Sequence, residues 1–260
     1  LSIRRQRQMC IRDRELERQG AVILDIGGES TRPGAAEVSA DEEVARVLPV
    51  VRELRKRSEA VISVDTRHAA VAAAVLEAGA DVINDISGLS DPGMAELCAE
   101  ARCGVVVMHM QGRPETMQDA PAYGDVLEEV RRYFEERYDF LLGKGLLPEQ
   151  VCWDPGIGFG KTLDHNLTLL SNMDQLHVAG RPVLLGLSRK RMLGAILGGT
   201  DSGREPLSTA VTVSYTHLTL RTAVMTVWGH LHGAQIHRIH DVEESARALR
   251  LVQAAEPFVR

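Results

Sequence analysis

Seven short apolar runs punctuate the chain, and nearly every one ends in polar residues. Residues 21–26, 60–64, 81–86, 104–108, 151–153, 182–187 and 234–239 are rich in Val, Ile and Leu over lengths that suit strands. The stretches between them repeat at helical spacing. Residues 39–56 bring Val44, Val47, Leu48, Val51 and Leu54 to one face, and Ser39 with Glu42 reads as a capping box. Residues 67–78 form an alanine-rich helix stopped by Gly79, and residues 92–101 a helix with Pro92 in its first turn. Further helices are expected over 125–142, 164–178, 204–232 and 242–255. Continuous apolar strands separated by helices predict an α/β chain with a parallel sheet. A doubly wound sheet gathers its ligand groups at one switch point. Here polar residues follow almost every strand, which favours a (β/α)8-type barrel with its site at the carboxyl ends. The barrel is one strand short. The first strand should precede Ala21, where residues 1–18 are basic and show no strand-like run, their last part reading as a helix that leads into Gly20. Residues 1–18 therefore stand apart as an atypical N-terminal segment, and 19–260 as a single barrel domain.

Length and composition narrow the class. A chain of 260 residues holds one α/β barrel or two small domains. With 4 Phe, 2 Trp and 4 Tyr, the core must rest on aliphatic side chains. A net charge of −6 argues against nucleic acid as the main partner, while leaving room for a local basic pocket. No apolar run approaches membrane-spanning length, and no signal peptide is evident. The cysteines are scattered without metal spacing, and Cys98, Cys103 and Cys152 read as buried thiols. A cytoplasmic location is the expectation.

The candidate chemistry lies at the strand ends. Residues 25–34 read Asp-Ile-Gly-Gly-Glu-Ser-Thr-Arg-Pro-Gly, a loop able to bring backbone N–H groups and an arginine fork to an anion. Asp25, Asp65, Asp85 and Asp154 sit on strand ends, with Asn84 one position earlier. Each is also open to reading as a helix cap or a structural hydrogen bonder. Converging carboxylates and an amide suit a flat, nitrogen-rich heterocycle. They suit a metal less well, because neither His109 nor the cysteines complete a ligand set. Gly158-Phe159-Gly160-Lys161 lacks phosphate-loop spacing; Phe159 offers an aromatic face, and Lys161 equally reads as a solvated charge. Ser188-Arg189-Lys190-Arg191 ends a buried strand with cations suited to a ring or a developing anion. Strand alternation puts Arg238 and His240 on one face, where with the Arg32 loop they make an anion pocket.

Taken together, these stretches resemble dihydropteroate synthase, the folate-pathway enzyme family that sulfonamides target. The resemblance is carried, in family order, by DIGGESTRPG (25–34), SVDT (63–66), VINDISGL (82–89), MHM (108–110), DPGIGFGK (154–161), GLSRK (186–190) and RIHD (238–241). It implies a TIM barrel, and a transferase that joins 6-hydroxymethyl-7,8-dihydropterin diphosphate to 4-aminobenzoate, releasing 7,8-dihydropteroate and diphosphate. By match to the family motifs, Asp65, Asn84, Asp154 and Lys190 would hold the pterin. Thr31, Arg238 and His240 would hold the diphosphate, helped by Mg2+. Arg32, Pro33, Phe159 and Ser188 would line the aminobenzoate pocket. Lys190, Arg238 and His240 would carry the catalytic charge, and the resemblance implies a homodimer. Three features depart from the family pattern: its metal-binding asparagine on a first strand is not found, residues 213–222 interrupt the long helical region, and Arg191 replaces a small residue. Two alternatives stand beside this reading. One is a catalytically impaired pterin-binding fragment. The other is a methyltransferase of the same superfamily that uses methyltetrahydrofolate, which would not need the SRK and RIHD anion apparatus.

Overall fold

A computed structural model describes residues 12, 14–30, 37–112, 114, 116–188, 190, 192 and 211–256, without the side chains of 211–218. The chain is an α/β barrel. Strands β1 (Ile23–Gly27), β2 (Val61–Asp65), β3 (Val82–Asp85), β4 (Gly104–Met108) and β5 (Val151–Asp154) pair in that order, all parallel. Strands β6 (Leu184–Gly186) and β7 (Ile236–Arg238) form a second parallel pair, linked to β5 by the bridge Trp153–Val183. Helices alternate with them: α1 (Ala40–Arg55), α2 (Ala69–Glu77), α3 (Met94–Ala101), α4 (Val126–Gly143), α5 (Leu163–Ser171), α6 (Val211–Leu231) and α7 (Val242–Ala255).

Strand alternation divides the apolar residues into two layers. Leu24, Ile26, Ile62, Val64, Ile83, Val105, Val107, Trp153 and Leu185 face the helices and join the main core. Val106, Cys152 and Leu184, with Val82 and Ile236 against them, form a small separate cluster inside the barrel. The outer layer holds the aromatic stack of Phe134 on Trp153, with centroids 4.7 Å apart. The Trp153 indole N–H donates to the Val178 carbonyl at 3.0 Å.

Local chemistry sets the helix starts. Ser39 accepts from the Glu42 amide at 3.3 Å, but the Glu42 carboxylate turns to Arg46, so half of the expected capping box forms. Asp125 caps α4, accepting from the amides of Leu127 and Glu128. Pro92 lies outside α3, because Gly93 takes a left-handed turn with φ 82° immediately before the helix. The expected helix over 164–178 breaks after Ser171 into two 3-10 turns. Residues 213–222 do not interrupt the long helix, since α6 runs through them. That stretch holds neither glycine nor proline, so its β-branched residues cost only weak propensity. The expected start of that helix, over 204–210, lies outside the described residues. Residues 14–18 are helical as expected, and Leu16 packs against the core.

Among the described residues no strand precedes β1, and no hydrogen-bonded ladder joins β7 to β1. At the carboxyl ends that seam is bridged by side chains. Arg238 on β7 donates through Nε to Asp25 Oδ2 on β1 at 2.6 Å, and through Nη2 to Asp65 Oδ2 on β2 at 2.9 Å.

Candidate functional site

The mouth residues follow from the same alternation. Two positions beyond the interior residues Val82, Cys152 and Ile236 stand Asn84, Asp154 and Arg238. On β1 and β2 the corresponding groups are Asp25, Ser63 and Asp65. Asp25 is the hub of this layer: it accepts from Ser63 Oγ at 2.6 Å and from Arg238, with the Asn84 amide nitrogen at 3.5 Å. The Asp65 pKa is pushed up to about 7, first by burial and then by the neighbouring Asp25 charge, with Arg238 opposing. The Asp154 carboxyl is also raised, chiefly by burial, and Lys190 opposes that rise.

The loop after β5 carries the second half of the site. Asp154 Oδ1 accepts from the Gly156 amide at 2.7 Å, which turns the chain sharply. Gly156 and Gly160 lie so close to residues 109–111 that an added Cβ would sit 1.9 Å from the His109 carbonyl oxygen and 2.5 Å from that of Gln111. Gly158 leaves room for the Lys190 side chain. Lys190 Nζ donates to the Ile157 carbonyl and stands 4.8 Å from the centre of the Phe159 ring. Burial lowers the Lys190 pKa to about 8, with Asp154 pulling the other way. The outer side of the loop is fixed by Asn166 Oδ1 on the Gly158 amide, Gln118 on the Gly158 carbonyl and Tyr123 on the Gly160 carbonyl, at 2.7, 2.7 and 2.9 Å.

Lys161 is not the solvated charge that its sequence context allowed. It is 3% exposed, with its ammonium turned inward beside His109. Asp85 likewise serves the structure, accepting from the amides of Ser87 and Leu89 at 2.6 and 3.0 Å and so holding the loop after β3.

Asp65, Asn84, Asp154 and Arg238 therefore lie at the carboxyl ends of their strands, around one mouth, with Lys190 in the segment that follows β6. Phe159 joins them through Lys190. Ser188 and His240 meet each other, the His240 amide donating to Ser188 Oγ at 3.1 Å. Strand β7 ends at Arg238, so His240 lies beyond the alternation expected to align the two. Thr31, Arg32, Pro33 and Arg191 lie outside the described residues. The chain on either side of Thr31–Pro33 is pinned: Glu29 accepts from the Val38 amide at 3.0 Å and pairs with Arg67, which also holds Glu37 at 2.9 Å. Arg67, Ser63, Asn166 and the Lys161–His109 pair escaped the sequence reading. Only Arg67 left a usable signal, a cation directly after the SVDT strand end.

Among the described residues no three His, Cys, Asp or Glu side chains converge to hold a metal. The two mouth carboxylates nearest to doing so, Asp25 and Asp65, are engaged by Arg238.

Known proteins share this fold and much of this sequence. The sequence model of the family described as pterin binding enzyme matches residues 5–240. The dihydropteroate synthase of Escherichia coli K12 is 46% identical over 235 residues, covering 90% of this chain and 78% of that protein. That of Mycobacterium leprae is 42% identical over 238 residues, covering 91% and 81%. The Yersinia pestis dihydropteroate synthase, solved in complex with a sulfonamide drug, superposes with a TM-score of 0.88 at 38% identity, covering 97% of this chain and 86% of that one. The Xanthomonas albilineans dihydropteroate synthase with 4-aminobenzoic acid gives a TM-score of 0.86 at 37% identity, covering 96% and 85%.

Proposed function

Because this chain belongs to the dihydropteroate synthase family, we propose how its own residues carry out the family's reaction. That reaction condenses 6-hydroxymethyl-7,8-dihydropterin diphosphate with 4-aminobenzoate, giving 7,8-dihydropteroate and diphosphate. The similarity to these synthases favours it over the methyltransferase alternative. The observation that carries the residue assignments is the convergence of Asp65, Asn84, Asp154, Lys190 and Arg238 around one mouth, beside the Phe159 loop.

Asp65, Asn84 and Asp154 offer acceptors and an amide to the edge of the pterin, and Lys190 adds a donor. Arg238 and His240, with Thr31 of the DIGGESTRPG stretch, hold the diphosphate. Phe159 and Ser188, with Arg32 and Pro33, form the aminobenzoate pocket, which is also where a sulfonamide would compete. The C–O bond to diphosphate breaks first and reversibly, the electron pair going with the diphosphate, which stays bound until the amine captures the carbon. Arg238 and Lys190 offset the departing charge. The electron-rich dihydropterin supports the cationic methylene that remains. The neutral amine of aminobenzoate then attacks that carbon and loses a proton. No protein nucleophile takes part, so catalysis is positioning and electrostatics.

Magnesium enters this reading with the substrate. Diphosphate oxygens are the hard ligands it prefers, and no resident cage forms among the described residues. Purified chain is expected to release diphosphate from the pterin substrate only when aminobenzoate and magnesium are both present. Release that ignores the amine, or no release from soluble, folded chain, would count against this reading and favour an impaired binder.

The homodimer is likewise a proposal. Helix α6 exposes Leu220, Val224, Trp228 and Leu231 along one flank, at 61%, 57%, 43% and 58%. Their spacing of three and four residues makes one apolar stripe, as an isologous interface requires. Sedimentation should show a dimer that Val224→Glu converts to monomer; an unchanged dimer would place the interface elsewhere. No described helix is long and apolar enough to cross a membrane.

A further inference from the structure

Lys161 takes no part in the mechanism above, yet it is almost fully buried. Among the described residues its ammonium has no carboxylate in ion-pair contact. Its three N–H donors are shared instead among four acceptors: the carbonyl oxygens of Gly156, Phe159 and His109 at 3.1, 3.0 and 3.3 Å, and His109 Nδ1 at 3.0 Å. A buried cation without a contacting counter-charge is costly, and an apolar side chain of similar size usually fills such a space better. What the ammonium supplies here, and an apolar group could not, is direction. Two of its acceptors belong to the loop after β5, and two belong to His109 at the end of β4. One nitrogen therefore fastens the loop to the neighbouring strand end.

The surroundings support this assignment. His109 is buried, 4.9 Å from Tyr133 in an edge contact, and burial holds its pKa down to about 3. The imidazole is thus neutral, and its Nδ1 accepts a hydrogen bond from the ammonium. Burial also lowers the Lys161 pKa to about 7, while Asp154 raises it and Lys190 lowers it further. Tyr123, whose ring centre lies 6.0 Å from Lys161 Nζ, holds Gly160 from the other side. The carbonyl of Phe159 is the acceptor closest to the ring that stands against Lys190.

We propose that Lys161 is a positioning residue for the amine-binding half of the reaction: its ammonium anchors the Gly156–Phe159 backbone to His109 and so sets the Phe159 ring against Lys190. The inference rests on the reading that Phe159 lines the aminobenzoate pocket. Its consequence is selective. Losing the anchor should disturb the aminobenzoate side of the mouth, while Asp65 and Asn84, on β2 and β3, keep their grip on the pterin.

The test compares the parent chain, Lys161→Met and Phe159→Ala, measuring KM separately for aminobenzoate and for the pterin diphosphate. Lys161→Met should raise the aminobenzoate KM about tenfold and leave the pterin KM within about twofold, a misplacement effect rather than a lost contact. Phe159→Ala should raise the aminobenzoate KM as well. If Phe159→Ala raises it and Lys161→Met does not, or if Lys161→Met raises both KM values together, the positioning role is wrong and the pocket reading survives. If Phe159→Ala has no effect, the pocket reading fails and this inference with it. Should Lys161→Met be insoluble, Lys161→Gln, which stays polar but is one atom shorter and cannot reach from the loop to His109 as the ammonium does, is judged by the same split.

Discussion

Lys190→Ala is expected to lower kcat/KM for amine-dependent diphosphate release by about 10³-fold, the scale of losing a preorganised charge at a reacting centre. Three things go at once. The Ile157 carbonyl loses its donor, the Phe159 ring loses its cation, and Asp154 loses the positive charge that opposes its raised pKa. The pH profile should report the same group. Lys190 is charged below its pKa of about 8 and neutral above it, so kcat/KM should fall as pH rises through that value. In Lys190→Arg, which stays charged, the part of the basic limb near pH 8 should move beyond the accessible range, leaving only the loss that follows deprotonation of Lys161 near 7. Activity within tenfold of the parent in Lys190→Ala would remove Lys190 from the mechanism.

The second large effect needs no charge. Gly156→Ala should destabilise the chain by about 3 kcal/mol or more, or displace the loop and abolish activity, because the Cβ is fixed to one backbone and the atoms it meets belong to another. The added Cβ would stand 1.9 Å from the His109 carbonyl oxygen and 3.1 Å from its carbon, at a φ of +64°. Gly180 provides the control. It has nearly the same φ, +68°, but nothing lies within 4 Å of an added Cβ. Gly180→Ala should therefore cost only the left-handed conformation, about 1–2 kcal/mol. Thermal melts of the two variants decide the matter: equal losses would show that backbone conformation, not the approach to His109, makes Gly156 necessary.

The parts of this molecule that are legible in its sequence share a physical origin. Parallel strands buried on both faces must be apolar throughout, so their ends stand out as the first polar residues. That is why the pattern places Gly104–Met108 and Val242–Ala255 to the residue, and why it names Asp65, Asn84 and Asp154 as mouth residues. What escapes it is set by distant parts of the chain. Asp25 finds its partners 38, 59 and 213 residues away, distances over which no local pattern carries information. Lys161 reads as an ordinary loop charge because only the crossing of the loop over β4 encloses it. Residues 213–222 mislead in the other direction: their threonines and single valine are poor helix formers in isolation, and context overrides that weak preference.

Arg238 spans the seam between β7 and the first two strands, and the proposed assignment also gives it the diphosphate. A guanidinium carries five N–H donors, and here two are committed to carboxylates, which leaves donors for an anion. An anion that meets Arg238 shares the guanidinium with Asp25 and Asp65. On the proposed assignment, affinity for the diphosphate end of the substrate is then set by the arginine's attraction less the repulsion of the two carboxylates, and not by the strength of either alone. The same opposition acts when the product leaves. The carboxylates would favour departure of the diphosphate, so the residue that bridges the seam would also limit how tightly such a site holds what it must release.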